Sequence, residues 1–467
     1  MKQLHIYCLL IIASGILFVA CKKDSIITSP SAKLSISVDS LKYDTVFTTV
    51  GSITQSFKIN NLNDQKLKLD RVKLMDVDTS AFTININGHA VSELSNIEIA
   101  AEDSIYVFVT VTVDPTQDDL PFVIQDSIQV QYNGNTRYVQ LEAYGQNAHF
   151  LRGETIDANT TWNNDLPYVI LDSLKVNTAK TLIINRGCKI YMHANAPIIV
   201  DGRFFVRGTK DEPVIFTGDR LDEGYRDLPA SWPGIYFRET SFGSNFTYAI
   251  IKNAYQAIVA LLPSNNSQPK VTIQQSIIDN AYDAGIIAIN SRIAANNTLI
   301  SNCGTNVSLL SGGDYEFTNC TVASYGNIFI EHTRPVLVVT NFIDGYATAA
   351  LFANFTNCIF WGDYGNVKDE VIVSTRPDID PVVNFIHCIY KAEKNDVDGF
   401  FDTESMKNQD PLFDSINIGR QYFDFHTSSK STAPGIDAGV ATTFLLDLEG
   451  NSRVVNGITD IGAYEKQ

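Results

Sequence analysis

A chain of 467 residues with 45% hydrophobic and 10% aromatic content has enough apolar surface for two or three buried cores, which excludes a disordered protein. Its formal net charge of −17 leaves nothing to neutralise a run of phosphates, so nucleic acid is excluded as a partner. The same charge makes a bare anionic surface an unfavourable partner.

Residues 1–20 begin with Met1 and Lys2, continue as an apolar run from Leu4 to Ala20, and end on small Ala20 before Cys21. This order is that of a secretory signal peptide, too short and wrongly flanked for a spanning helix. The segment Phe18-Val19-Ala20-Cys21 resembles the bacterial lipobox, with Phe18 where leucine is usual. The resemblance implies that Cys21 takes a diacylglycerol and becomes an acylated N-terminus. The protein would then be an outer-membrane lipoprotein exposed at the cell surface, its membrane partner engaged through lipid. An ordinary cleaved signal with Cys21 incidental is the other reading. Residues 21–32 are polar and proline-interrupted, a flexible tether.

Residues 33–148 alternate at period two, as in Leu34, Ile36 and Val38. The longest alternation is Ile105 to Val113, ended by Asp114-Pro115, and Asn133-Gly134 between Ile128–Tyr132 and Tyr138–Ala143 is a hairpin signal. Short strands and frequent turns predict an antiparallel β-sandwich. With Ile59-Asn60-Asn61 and the Val-x-Val-x-Pro close of its central strand, this region resembles immunoglobulin-like domains of the ASPM/SPD-2/Hydin type. A spacer or docking role follows more readily than catalysis, since no histidine, cysteine or acidic cluster converges there.

From 149 to 412 the chain repeats. Tyr248-Ala-Ile-Ile-Lys-Asn253 aligns with Gln275-Ser-Ile-Ile-Asp-Asn280 and Asn297-Thr-Leu-Ile-Ser-Asn302. Rungs beginning Asn319-Cys320, Asn357-Cys358 and His387-Cys388 follow. Self-similarity at this period marks a solenoid of one coil per repeat, each coil unstable alone. Asn253, Asn280 and Asn302 are expected to stack their amides in a ladder at the ~4.7 Å strand spacing. Beyond Cys8 and Cys21, five cysteines remain (188, 303, 320, 358 and 388), without CxxC spacing. Cys320, Cys358 and Cys388 share a register and are expected to pack as free thiols, with a disulfide among them as the rival.

The segments Pro213 to Asp219 and Trp232-Pro-Gly-Ile-Tyr-Phe237, with the Ile-Ile-x-Asn rungs, resemble the right-handed parallel β-helix of bacterial (Bacteroidetes-type) surface lipoproteins, a pectin-lyase-like solenoid. Asp410-Pro-Leu-Phe413, Ser431 to Gly439, Asp447 to Arg453 and Asp460-Ile-Gly-Ala-Tyr-Glu465 resemble the end of such proteins. Residues 413–467 are expected to cap the solenoid. The fold expected is thus all-β: an N-terminal immunoglobulin-like sandwich followed by a right-handed parallel β-helix.

Some β-helices cleave polysaccharides, through Ca²⁺-binding acidic residues with a basic residue or through paired carboxylates. The Gly-His-Gly and Arg-x-Lys steps of the hydrolases are absent from the coils, residues 149–412, and no two of the seven histidines form a metal pair. No catalytic residue, metal or cofactor is therefore assigned. Two acidic, aromatic stretches are candidates for a ligand: Asp222, Asp227, Trp232 and Tyr236 in the first, Trp361, Asp363 and Tyr364 in the second. Rings stacking on sugars and carboxylates bonding hydroxyls would make a glycan site; solvated loops with aromatics covering the core are the plainer reading. The leading expectation is a non-catalytic module binding polysaccharide or another envelope component. A divergent polysaccharide lyase or glycoside hydrolase, and a structural partner of envelope proteins, are the alternatives.

Overall fold

The computed structural model describes residues 25–467 except 48–51, 78–79, 114–121, 265, 345–347, 394–396, 428–431 and 456. The signal segment, Cys21 and Asp114-Pro115 lie outside the described residues. The described chain is all-β apart from two short 3₁₀ turns, and no helix is long and apolar enough to cross a membrane. It divides into two compact units, Met1–Asn147 and Ala148–Gln467.

In the first unit, period-two alternation makes strands with one buried face. Along Ser104–Val111 the residues Ile105, Val107, Val109 and Val111 are buried, whereas Tyr106 and Phe108 face solvent. This strand belongs to a four-stranded antiparallel sheet with Leu34–Ile36, Gln55–Asn61 and Phe82–Ile86. A six-stranded sheet holds Ile26–Ile27, Lys66–Leu74, Phe122–Tyr132, Asn135–Gln146 and Ser40–Phe47, with Glu93–Ile99 beside Lys66–Leu74. Inner residues of both sheets share one core, and the Tyr43 hydroxyl donates across it to the Val109 carbonyl at 2.6 Å. The hairpin at Asn133-Gly134 forms as its residues dictate, both with positive φ.

Among the described residues the second unit holds one sheet of 25 strands, wound into coils of three strands each, and a separate antiparallel pair, Ser415–Asn417 with Tyr422–Asp424. In a representative coil, Gln256–Leu261, Val271–Gln274 and Ile277–Asp279 pair in parallel with Ile235–Phe237, Ser244–Thr247 and Ala249–Lys252 of the coil before. This arrangement fits a parallel β-helix. The sequence repeat is its third strand: Ile250, Ile277, Leu299, Thr321, Ile359 and Ile389 fall in one register. Alternate residues of every strand point inward, giving one continuous core with a phenylalanine stack of Phe317, Phe355, Phe385 and Phe401 at centroid spacings of 5.5, 4.5 and 4.1 Å.

The five described cysteines are free and buried. Cys320, Cys358 and Cys388 continue a column that begins with Ser276 and Thr298. Each places a short donor on the carbonyl two residues back: Ser276 to Gln274 at 2.7 Å, Thr298 to Asn296 at 2.9 Å, and the three thiols to Thr318, Thr356 and Ile386 at 3.4, 3.3 and 3.5 Å. The position therefore asks for a small side chain with a weak donor, which cysteine supplies. Burial pushes the Cys320 and Cys358 thiols far above their ordinary range, which suppresses the reactive thiolate.

The C-terminal segment departs from the expected end cap. The stack ends instead on Val397, buried in the core, and on Phe401, whose ring lies on Tyr390 at 3.6 Å. Residues 413–467 run as a strap along the side of the coils. Phe413, Phe425, Leu448, Ile461 and Ala463 cover the outward apolar residues Leu299, Ala323, Ile359 and Ile389 of the third-strand face. The reason is visible in the repeat: those outward positions are apolar, so the face must be covered. The strap is anchored by buried Arg453, which donates to Asn297 (2.8 Å), to the Gly462 carbonyl (2.6 Å) and to Glu465 (3.4 Å). Burial outweighs the attraction of Arg453 and pushes Glu465 up from 4.5 to about 7.

A pH dependence follows. Between 4.5 and about 7 the folded protein holds a proton on Glu465 that the unfolded chain has released, so this group's contribution falls as pH rises through that window, on the order of 3 kcal/mol in all. Chemical-denaturation midpoints measured from pH 5 to 8 should decline toward pH 7, and Glu465→Gln should flatten part of that decline. An unchanged slope in the variant would place the pH sensitivity elsewhere.

Candidate functional site

The third strands Ala249–Lys252, Ile277–Asp279 and Leu299–Ser301 are bracketed by residues in left-handed backbone conformation. Their exit residues are Asn253, Asn280 and Asn302, with φ of 63, 57 and 49°. Asparagine tolerates this region because its short polar side chain bonds locally. The penultimate residues Lys252, Asp279 and Ser301 lie in one register on successive coils and point outward.

Two loops rise beside this turn column, 219–231 from the long spacing before Trp232 and 325–336 from the long spacing after Ser324. Between them is a groove of about 340 Å³. Lys252, Asp279 and the three asparagines line its floor, with Glu223, Arg226 and Asp227 on one wall and Asn327, Ile328 and Phe329 on the other. Gln421 and Phe423 of the C-terminal segment complete it. Ile328 and Phe329 are 68% and 38% exposed, an apolar rim beside a polar floor.

The amide ladder forms with one substitution. Asn280 donates to Asn253 at 2.8 Å, as expected, but the next member is Asn327, reaching in from the loop to donate to Asn280 at 2.8 Å. Asn302 turns aside, accepting from the Tyr325 N–H at 3.2 Å and bonding Asp279. The amides also hold the opposite wall, since Asn253 donates to the Arg226 carbonyl at 2.7 Å and Asn280 to the Asp227 carbonyl at 2.8 Å. Asp279 accepts from the Ser301 hydroxyl at 2.7 Å. Its removal from water nevertheless raises its pKa, against the pull of Lys252, Ser301 and Asn302, so it keeps a proton to higher pH than an ordinary carboxyl.

The wall carrying Phe329 is clamped from below by a fully buried pair, His332 Nε2 and Glu370 at 2.8 Å, with the second Glu370 oxygen accepting from the Val336 N–H at 3.3 Å. Gly362 is required beside them, because a Cβ there would lie 2.4 Å from both His332 Nε2 and the Glu370 oxygen.

The seven residues predicted to meet a ligand do not converge, and Asp227 alone lines the groove. Asp222 braces its own loop, accepting from Arg220 at 2.8 and 3.0 Å while that guanidinium sits 3.9 Å over Tyr225. Trp232 is fully buried, its indole N–H donating to the Lys252 carbonyl at 2.9 Å, so it offers no face to a sugar. Tyr236 bonds the Pro233 carbonyl at 3.2 Å and borders a separate shallow depression. Trp361 is buried against Phe413 and Phe425, in the cluster that the strap covers. Asp363 pairs with Lys391 at 3.6 Å, and Tyr364, 71% exposed, lies 6.0 Å from Tyr325. For these aromatics the plainer reading, covering the core, holds for Trp232 and Trp361.

Sequence reasoning missed Lys252, Asp279, Asn327 and Phe329. The first two had a signal: the fifth rung position reads Lys, Asp, Ser where an apolar outward face would continue. Asn327 and Phe329 had none, because a loop's fold onto a distant turn leaves no periodicity.

No family model and no curated protein matches the chain. Among solved structures, PapD-like domain 7 of human CEP192 is similar at 14% identity and TM-score 0.19, over 28% of this chain and 97% of that one. A family 123 glycoside hydrolase from Clostridium perfringens is similar at 6% identity and TM-score 0.18, over 27% of this chain and 31% of that one. The VesB protease of Vibrio cholerae is similar at 16% identity and TM-score 0.18, over 26% and 33%. This chain thus spans about a third of the latter two.

Asn280→Ala would remove the link between the two walls. It leaves the Asp227 carbonyl without its donor and the Asn327 amide without its acceptor, at about 1–3 kcal/mol. Hydrogen exchange should accelerate in both 219–231 and 325–331 while the inner strands stay protected. Acceleration in one loop alone would contradict a shared anchor.

Proposed function

We propose that this protein is an exported, lipid-anchored cell-surface module that binds an extended glycan in the groove between residues 219–231 and 325–336. Cys21 carries the lipid, residues 21–32 the tether, an immunoglobulin-like sandwich the spacer, and a right-handed parallel β-helix the binding body. The observation that carries the glycan reading is the lining of one groove: amide, carboxyl and ammonium groups on the floor, and the Phe329 ring exposed on the rim. Sugars present hydroxyls on their edges and C–H groups on their faces, which such a lining matches.

A second reading is favoured by the same groove, two of whose three carboxyls, Asp279 and Asp227, stand in unlike settings. Enclosure raises the pKa of Asp279, while the side chain of Asp227 is 68% exposed. Glycoside hydrolases use such a division between acid and base.

One experiment separates these readings. The protein is titrated with a panel of polysaccharides, and reducing or unsaturated ends are assayed alongside. Binding without products is expected, weakened about 10-fold, near 1.4 kcal/mol, by Phe329→Ala and by Asp279→Asn. Product release abolished by Asp279→Asn would establish the hydrolase. Absence of binding to every glycan, or binding indifferent to both substitutions, would remove the groove from the account.

Anchoring is tested separately. Cys21→Ala should shift the protein from the membrane to the soluble fraction and remove the acyl mass from its N-terminus. A variant still fractionating with membranes would refute lipidation at Cys21.

A further inference from the structure

A cluster of metal-ligating side chains lies away from the groove, where the last coil turns. His387 is the left-handed residue entering the final third strand Ile389–Tyr390. The chain then returns through residues 402–405, which dock on the same turn. The Asp402 N–H donates to the Phe385 carbonyl at 2.9 Å, and the Ser405 hydroxyl accepts from the Cys388 N–H at 3.0 Å. One nitrogen of His387 and one oxygen each of Asp402 and Glu404 thereby lie within 4.8 Å of one another. His387 and Asp402 are half-buried, and Glu404 is exposed.

Two features orient these groups from outside. The Nδ1 of His387 lies 2.9 Å from the Ala438 carbonyl of the strap; a carbonyl accepts only, so Nδ1 carries a proton and Nε2 is the nitrogen left for a ligand. This is the arrangement by which a protein fixes the tautomer of a metal-binding imidazole. The Asp402 carboxylate is held by the His387 backbone N–H, at 3.1 Å from both oxygens, and by the Ser405 hydroxyl at 2.6 Å from Oδ1, which leaves Oδ2 with a free lone pair. Neither carboxylate has a lysine or arginine partner among the described residues. Two carboxylates beside an imidazole, without a lysine or arginine partner among the described residues, suit a bound cation.

We propose that His387, Asp402 and Glu404 bind a divalent transition-metal ion, Zn²⁺ being the probe of choice. One nitrogen and two oxygens suit zinc at 2.0–2.2 Å after small side-chain movements, with a fourth position open to water. The imidazole disfavours Ca²⁺ and Mg²⁺, which take oxygen ligands. The ion would tie the end turn, the last coil and, through the His387–Ala438 bond, the strap. This inference is independent of the glycan reading.

The test uses the full-length protein stripped with EDTA, dialysed, and titrated with Zn²⁺ by calorimetry. The expected result is one tight equivalent, unaffected by millimolar Ca²⁺ or Mg²⁺, that raises the thermal unfolding midpoint by a few °C, about the effect of saturating a site that the unfolded chain lacks. Glu404→Gln and His387→Gln should each weaken that equivalent by about 100-fold or more. Glu404 is exposed and among the described residues bonds the Thr403 hydroxyl only, so its variant keeps the fold and carries the test if His387→Gln does not. His426, flanked by Asp424 and Glu449, is a second place where zinc can adhere, so His426→Gln is titrated alongside. The proposal is overturned if the wild-type protein takes up no tight equivalent, or if that equivalent survives Glu404→Gln or is lost in His426→Gln.

Discussion

The coils depend on the left-handed residues that bracket their third strands. A non-glycine residue in this conformation costs roughly 1–2 kcal/mol, and at least eight are spent here, on Tyr248, Gln275, Asn297, Asn319 and Asn357 at the entry and Asn253, Asn280 and Asn302 at the exit. The return is continuity of hydrogen bonding around the corner. The N–H of Asn253 reaches the Asp279 carbonyl of the next coil at 3.2 Å, that of Asn280 reaches Ser301 at 3.2 Å, and that of Asn297 reaches Thr318 at 3.0 Å. Without these turns each coil would leave backbone donors buried and unpaired at every corner, a larger penalty repeated along the stack.

The two turn columns are used differently. Each entry residue from Gln275 onward meets the strap: Gln275 donates to Asp447, Asn297 accepts from Arg453, Asn319 donates to Thr442, Asn357 exchanges two bonds with Val440, and His387 donates to Ala438. A strap of irregular chain can lie against a sheet only if its own polar groups are satisfied, and this column satisfies them coil by coil. The face that sequence repetition would leave apolar and open is closed from within the chain. That closure also explains why Trp361 is unavailable to a ligand.

Legibility followed periodicity. The rungs were readable because the Ile-Ile-x-Asn spacing reflects both an inward apolar position and an asparagine that tolerates positive φ, two constraints recurring with every coil. The cysteine register was readable for the same reason, although its meaning required the structure: Ser276 and Thr298 show the column to be one of small donors. The strap was not readable as such, because its contacts join residues far apart in sequence, 156 apart for Arg453 and Asn297. Aromatic residues near acidic ones proved a poor guide to the groove, since a large ring in a repeat protein fills the core more readily than it waits for a ligand. Trp232 is the clearest instance.

The exit column bears on function because it lacks what the entry column has. Its asparagines are satisfied by loop carbonyls of Arg226 and Asp227 and by the amide of Asn327, not by a strap. Those loop contacts stand at the margins of the groove and leave the outward side chains between them, Lys252 and Asp279, lining its floor. An ordinary solvated face would not hold a carboxyl whose pKa is raised by enclosure, nor set a half-exposed phenylalanine beside it. Both features cost stability and neither is needed to stack coils, since the entry column stacks the same coils without them. A groove maintained against that cost, by two loops inserted at the long spacings of the repeat, is the part of this solenoid whose geometry is not accounted for by its own folding, which is why the proposed ligand is placed there.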